Sequence, residues 1–536
     1  MALSRASEAI PRTTVSAAER LAQLRTWIVT AVLGTAWAIV NPATPDLAAH
    51  EYRAAIAAKH PFAIWEQGWY AGHPLPGYSV LMPPLAALFS PQVVGLAGAV
   101  LASWAFARLA RDHWEEPAAS LSALWFAVGV VSTLLGGQLA FAAGLGPGLA
   151  ALLAAERRRG GLAAGLAAAT TLTSPVAAAF LLLAAAAWWL ARRARYAVWV
   201  AGGALVPGLL IMLAFPEAGI QPFTGSTFAW CLAIAVALIV TLPPRERELR
   251  VGAALYAAVL IAGIGIDNAL GGNLVRLAAV FAGPVAIGAL WNRRMVALAV
   301  IALPLLYWQW LAPVRSVERG AGDDSSELEY YRPLIGELDR LSAREGPSRI
   351  EVPFTANHWE TRFLPPSHPL ARGWERQVDT TLNPIFYDGT AFSGARYRRW
   401  LDSLSVAYVA LPDIRLDPAG AHEGHLVREG RVPGLRLIWR GPHWRLYRVV
   451  GARPLAAAPL RVTSMGLDTV GLATPRPATA VVRVRFTPYW ALTSGSGCVG
   501  RAPGGWTRVR LSHAGRATLG IRFALDRIRA TSDRCT

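Results

Sequence analysis

The sequence predicts an α-helical polytopic membrane protein of about eleven spans, with an extracytoplasmic C-terminal region made of an α/β unit and a β-sandwich. Three observations carry this reading. First, 54% of the residues are hydrophobic, yet the formal net charge is +18. The two facts conflict in a soluble protein and agree if the apolar residues face lipid while the arginines occupy loops. Second, a train of apolar segments ends near Leu311, and nothing comparably apolar follows. Third, arginines cluster in every second gap between those segments.

The 536 residues are too many for one ordinary core. They divide into a cytoplasmic N-terminal segment (1–25), a helical membrane domain (26–312) with a long first outer loop (41–79), an α/β domain (313–455) and a small β-rich domain (456–536). A span needs about 20 mainly apolar residues. The candidates are Thr26–Val40, Pro91–Leu109, Ala118–Gly136, Gln138–Ala155, Gly161–Ser174, Pro175–Ala191, Tyr196–Phe215, Ser226–Leu242, Val251–Ile266, Asn273–Leu290 and Met295–Leu311. Arg5, Arg12, Arg20 and Arg25 precede the first span and put the N-terminus in the cytoplasm. Arg108 and Arg111, Arg157–Arg159, Arg192–Arg195, Arg245–Arg250 and Arg293–Arg294 then belong to the same side. That pattern demands two crossings between Arg159 and Arg192, with a turn at Thr173-Ser174-Pro175, where proline ends the helical ladder. The reading is thus a multi-pass protein of the cytoplasmic (inner) membrane, with its N-terminus inside and its C-terminal domain outside.

Within the first loop, Asp46–Lys59 reads as a helix on the membrane surface, and Trp65, Trp69, Tyr70 and Tyr78 suit an interfacial aromatic belt. In the tail, Ser326–Arg344 is an amphipathic helix and Arg349–Phe354 a strand. A helix near Tyr397–Leu404 leads to the strand Val406–Leu411, and Leu435–Trp439 with Trp444–Val450 forms a hairpin about Gly441-Pro442. From Arg461 onward the alternation is that of a β-sandwich, as in Ala480–Phe486 and Arg508–Phe523. Cys498 and Cys535 lie in that unit and can pair if it is outside the cell; Cys231 is packed among apolar residues.

The basic balance finds no helix-turn-helix, zinc-finger or RNA-binding pattern to serve, so no nucleic-acid partner is expected. GxSxG, Walker and HExxH motifs are absent. The sharpest candidates are Asp46 and His50, four apart and on one helical face, with Glu51 flanking it and Arg53 available for phosphate. A solvated loop-helix face would read the same way. Arg276 lies within an apolar span about 6 Å from its outer end. It either snorkels or binds a lipid phosphate, with Asp267 and Asn268 at the same end. In the tail, His358-Trp359-Glu360 and Arg372-Gly373-Trp374-Glu375-Arg376 are polar-aromatic clusters, near Asp379, Asn383 and Tyr387. They suit a sugar or phosphate surface, or an ion-pair network that fixes the domain.

The first span, the loop text DLAAHEYR and WEQGWYAGHPLPGYSVLMPPLAALF, the many short-looped spans and the outer tail together resemble the polytopic GT-C glycosyltransferases and their actinobacterial relatives. ATTLTSP (169–175) and NLVRLAAVFAGP (273–284) are similar to membrane proteins of that kind. The resemblance implies transfer of a sugar from a polyprenyl-phosphate donor to an envelope glycan on the outer face, among membrane lipids. It implies a catalytic acid residue in the first outer loop, the position of Asp46, with His50 and Glu51 beside it. Arg53, Arg276 and Asp267 would contact donor phosphate, and His358, Trp359, Glu360, Arg372, Trp374 and Arg376 the acceptor. Many relatives have paired acidic residues, whereas Glu51 is five positions from Asp46; a divalent cation is left open. The alternatives are a non-catalytic envelope assembly protein and a transporter or lipid flippase. The scarcity of ionisable groups in the inner spans speaks against ion coupling.

Overall fold

A computed structural model describes residues 25–217, 219–528 and Cys535. The chain is a multi-span helical membrane protein with a strand-rich C-terminal region. Helices α1 (Thr26–Val40) and α2 (Pro45–Lys59) are followed by a two-residue ladder, β1 (Trp65–Glu66) and β2 (His73–Pro74), and by α3 (Met82–Phe89). The bundle continues through α4 (Pro91–His113), α5 (Ala118–Gly129), α6 (Val131–Leu135), α7 (Leu139–Glu156), α8 (Gly160–Thr173), α9 (Pro175–Arg192), α10 (Tyr196–Ala214), α11 (Gly225–Thr241), α12 (Arg247–Gly265), α13 (Val275–Leu290) and α14 (Met295–Gly320). Each apolar segment read from the sequence is helical, α5 and α6 together making one of them.

Among the described residues, eight helical stretches are long and apolar enough to cross a membrane, or nine if α1 and α2 count as one bent span; α8 and α11 are shorter apolar helices. The expected eleven spans are thus present as helices, but by length alone fewer qualify. At 14 residues α8 reaches about 21 Å, short of a hydrocarbon core of about 30 Å. Side chains such as Leu209, Leu210, Met212 and Leu213 on α10 are exposed, as a lipid-facing surface requires. Small residues bring the helices close: a Cβ at Gly98 would strike the Ala143 backbone, and one at Gly203 that of Ala164.

The loops sort onto two faces. On one, Arg157 meets Asp112 at 3.6 Å, His113 meets Glu246 at 2.8 Å, Arg192 pairs with Glu248, and Arg294 donates to the Thr241 carbonyl at 3.0 Å. On the other, Ser79 donates to the Thr173 carbonyl at 2.8 Å and Tyr489 to that of Ala214 at 2.6 Å. The Thr173-Ser174-Pro175 turn therefore lies on the face opposite the arginines. Ser174 caps α9 by accepting from the Ala177 N–H, and Pro175 stands in its first turn. At 26 residues, about 39 Å, α14 outruns the bilayer and carries the chain to the C-terminal region.

The α/β unit contains α15 (Leu328–Glu345), β3 (Arg349–Glu351), α16 (Glu360–Phe363), α17 (Arg376–Leu382), α18 (Gly394–Ser403), β4 (Val406–Pro412), α19 (Pro418–Arg428), β5 (Leu435–Arg440) and β6 (Trp444–Val449). Its sheet has the order β3-β4-β6-β5, with β3 parallel to β4 and the other pairs antiparallel. Tyr331, Leu334, Leu338 and Leu341 give α15 its buried stripe, and Gly346, at φ 88°, lets the chain leave it. The β-rich unit comprises β7 (Arg461–Met465), β8 (Thr469–Thr474), β9 (Ala478–Arg485), β10 (Trp490–Ser494), β11 (Gly497–Ala502), β12 (Trp506–Leu511) and β13 (Gly515–Ile521). Two sheets, β10-β13-β8-β7 and β11-β12-β9, face each other over a core of Val470, Leu472, Val482, Val509 and Leu519. A disulfide joins Cys498 to Cys535, and Cys231 is free and buried.

One expectation is corrected. The aromatic residues of the first loop are not an interfacial belt: Trp65, Trp69 and Tyr70 are buried. The C-terminal region roofs the loop and supplies what their polar atoms need. Trp69 donates to the Thr361 carbonyl at 3.0 Å and Tyr70 to that of Gly373 at 2.6 Å, while Trp65 packs against Trp490 of the sandwich. For the same reason α2 does not lie open on a surface. It turns 81° from α1, and Leu47, Ala48, His50, Tyr52, Arg53 and Ile56 are all buried.

Candidate active site

The roof creates the site. Pro45 starts α2 and places Asp46 in its first turn, under the loop that precedes α17. There the Trp374 indole N–H donates to Asp46 Oδ1 at 3.2 Å. Arg276 comes from the first turn of α13, with its guanidinium 5.5 Å from the centre of the Phe141 ring. Asp46, Arg276, Trp374 and Arg376 each keep part of their surface accessible although protein surrounds them. Burial pushes the Asp46 carboxyl above the usual carboxylate range, opposed first by the Arg276 charge, then by the Trp374 hydrogen bond and the charges of His358 and Arg53. Among the described residues the Arg276 guanidinium has no hydrogen-bond partner, so its donors are free for a ligand in this crevice.

His50 is brought to the same place but faces elsewhere. Its Nε2 lies 3.4 Å from Tyr78 Oη, and it hydrogen-bonds the Gly137 backbone. Burial and the Arg53 and Arg276 charges hold it down to about 3, so the ring is neutral near pH 7. Glu51 points away from Asp46 and meets Arg362 at 3.6 Å. Arg53 is fully buried, paired with Glu375 and held 4.0 Å from the Tyr78 ring and 5.0 Å from that of Trp69. Asp267 is exposed and forms no ion pair with Arg276, whose carboxylate neighbour is Asp46.

The tail cluster splits in two. His358 stacks on Trp374 at 3.5 Å and 12°, with the Arg376 guanidinium 4.8 Å from the same ring. Asp417 joins them, 3.4 Å from His358 Nε2 and 3.1 Å from Arg376. Trp359, Glu360 and Arg372 lie in the interior instead. Trp359 stacks on Phe363, and Glu360 accepts from the Thr355 hydroxyl. Arg372 reaches Asp379 and Glu423, each at 2.7 Å, between the rings of Phe354 and Phe386. Sequence reasoning missed Asp417, Glu423, Glu217 and the part played by Tyr78. The Asp417-Pro418 pair, an N-cap followed by proline, marked a helix start at 418 and was the available signal for the first.

Below the crevice an apolar cavity of about 360 Å³ runs through the bundle. Gly144, Ala177 and Ala278 line its end towards Arg276, and Glu156, Arg192 and Glu248 its end at the arginine-rich face. Among the described residues no three His, Cys, Asp or Glu side chains are grouped to hold a metal ion. The charged neighbours of Asp46 are themselves cationic, an environment that suits an anion better than a second cation.

No protein-family model matches the chain, and no curated protein matches it. Among solved structures, it is similar to the cryo-EM structure of the arabinofuranosyltransferase AftD from Mycobacteria, at 14% sequence identity and a TM-score of 0.41. The alignment covers 96% of this chain and 60% of that one, so the chain spans less than two-thirds of that enzyme's length.

Proposed function

We propose that the protein is a GT-C-like membrane glycosyltransferase that moves a sugar from a polyprenyl-phosphate donor to an envelope acceptor on the outer face of the cytoplasmic membrane. The observation that carries this reading is the meeting of Asp46 and Arg276, a carboxylate and an unpaired guanidinium, in a roofed crevice above an apolar cavity. A lipid phosphate suits the guanidinium, and its prenyl tail suits the cavity. The acceptor hydroxyl passes its proton to Asp46 while its oxygen bonds the anomeric carbon. The bond from that carbon to the phosphate oxygen breaks, and the electron pair leaves with the phosphate, whose charge Arg276 meets. Burial makes Asp46 a stronger base than an ordinary carboxylate. Trp374 and Arg376, the accessible part of the tail cluster, border the acceptor side. The arginine-rich face is cytoplasmic by the excess of basic residues there.

The test is Asp46→Asn, assayed for transfer from a polyprenyl-phosphate sugar in membranes. A general base contributes about a hundred- to ten-thousandfold in rate, and the variant should lose that much at unchanged abundance. Full transfer by the variant would remove Asp46 from catalysis and leave the assembly-protein reading standing.

A further inference from the structure

A second group of cations lies away from the crevice, in the seam between the α/β unit and the sandwich. Arg349 opens β3, Arg483 and Arg485 stand two apart on β9 and share a face, and Arg453 lies in the connection between the two units. Arg349 is fully buried. It donates to the carbonyl of Leu404 and, at 2.7 Å, to that of Arg483, and its Nε has no partner. Arg483 donates to the Ser403 carbonyl and Arg485 to the Tyr70 carbonyl, each at 3.3 Å. Their guanidiniums lie 5.4 and 4.7 Å from the Trp506 ring. Trp506 pairs with Arg485 across β12 and β9, so one indole serves both arginines.

None of these four arginines has a carboxylate partner among the described residues. The contrast with Arg372, which is as deeply buried and has two, is direct. Arg349 is held down to about 9 by burial and then by the charges of Arg485 and Arg483. The Ser403 and Leu404 carbonyls close α18 and bring roughly half a negative charge, too little for three guanidiniums in one seam. Like charges gathered about a fully buried guanidinium are costly unless an anion joins them.

We propose that this seam, formed by Arg349, Arg453, Arg483, Arg485 and Trp506, is a binding site for a phosphate group. A phosphate dianion offers several acceptors and two charges, which fits forked donors from several arginines better than a single carboxylate does. The site is independent of the reading of Asp46. Its ligand is a phosphorylated sugar, free phosphate or a lipid headgroup, all of which present the same chemistry to the guanidiniums.

Calorimetric titration of the full chain in detergent micelles tests this in three arms: inorganic phosphate, glucose 1-phosphate, and vesicles of phosphatidylglycerol with phosphatidylcholine vesicles as blank. Binding is expected in at least one arm and should weaken with added salt. The double variant Arg483→Gln/Arg485→Gln should weaken it at least tenfold, while Arg461→Gln on β7 should leave it unchanged. Binding of either small solute assigns a soluble phosphate; binding of anionic vesicles alone, sensitive to the double variant, assigns a headgroup. If the double variant does not fold, Arg453→Gln, at an exposed position, decides the matter through a loss of about threefold or more. Absence of binding in every arm, or binding that none of the seam variants weakens, overturns the proposal.

Discussion

Arg276 and Arg372 are both arginines surrounded by protein, and they are arranged in opposite ways. Arg372 has every advantage a buried cation can have: two carboxylates at 2.7 Å, aromatic rings at 3.9 and 3.7 Å, and the Tyr387 hydroxyl at 3.3 Å. Arg276 has one aromatic contact, a carboxylate neighbour and no hydrogen bond among the described residues. A charge whose partners are all supplied by the chain holds the chain together. A charge left with open donors beside a cavity is held ready for something the chain does not contain. The crevice and the domain interior differ in this respect more than in composition, because both combine arginine, tryptophan and carboxylates.

The comparison is broken most forcefully at Arg372. Arg372→Gln leaves Asp379 and Glu423 buried without their cation, and loss of one partner of such a network costs about 3–5 kcal/mol. The expected outcome is a large fall in the thermal midpoint or loss of the folded protein from membranes. Normal stability would show that the interior is not held by its charges.

His73 carries the same logic in the first loop. Its ring lies between Glu66, at 2.7 Å, and Glu217, at 3.2 Å, and stacks on Trp69. Burial opposes its charge, but the two carboxylates win and hold it up at about 9. A histidine raised in the folded state contributes stability that is complete below its unfolded value of about 6.5. That contribution is lost as pH rises through the folded value near 9. The thermal midpoint should fall between about pH 6.5 and 9, by an amount equivalent to at most about 3 kcal/mol. In His73→Gln the midpoint should start lower and lose that slope; a wild-type midpoint flat over this range would contradict the assignment.

At Arg276 the opposite pattern is expected. Arg276→Gln should cost clearly less stability than Arg372→Gln, because Arg276 has one aromatic contact and one carboxylate neighbour where Arg372 has a closed network. Transfer should fall by about ten- to a hundredfold, the loss of a charge-assisted contact to phosphate. A destabilised variant with normal specific activity would place Arg276 with Arg372 as a structural residue.

The helices of the bundle were legible in the sequence to within a few residues, because lipid demands continuous apolar text and arginines mark the turns; the exception is α14, which runs nine residues past the expected end at Leu311. Asp46 and Arg276 could be placed on one face by counting crossings alone, although they are 230 positions apart. What sequence could not supply was the roof. Trp65, Trp69 and Tyr70 have the composition of a membrane interface, and only tertiary packing converts them into a core. Likewise Arg53 was a free cation in the text and is the partner of Glu375 in the fold, 322 positions away. Long-range pairs of this kind leave no local period or spacing to read.

The finest test of the comparison is Trp374→Phe. Trp374 is where the two regions meet: one atom of its ring bonds Asp46, and its face stacks on His358, which reaches Asp417 and so the domain interior. Phenylalanine keeps most of the stacking area and removes only the N–H. If the indole serves the domain alone, the variant should bind substrates and turn over as before. If it holds the Asp46 carboxylate in place, a hydrogen bond to a charged group is lost, worth about 1.5–3 kcal/mol when fully formed and less at 3.2 Å in an accessible crevice. Transfer should then drop by about three- to tenfold. The acid limb of its pH profile should also move upward, because one of the interactions opposing the raised Asp46 carboxyl is gone. A merely structural tryptophan would alter abundance without moving that limb. The displacement of the limb, rather than the drop in rate, therefore separates a positioning residue from a packing one.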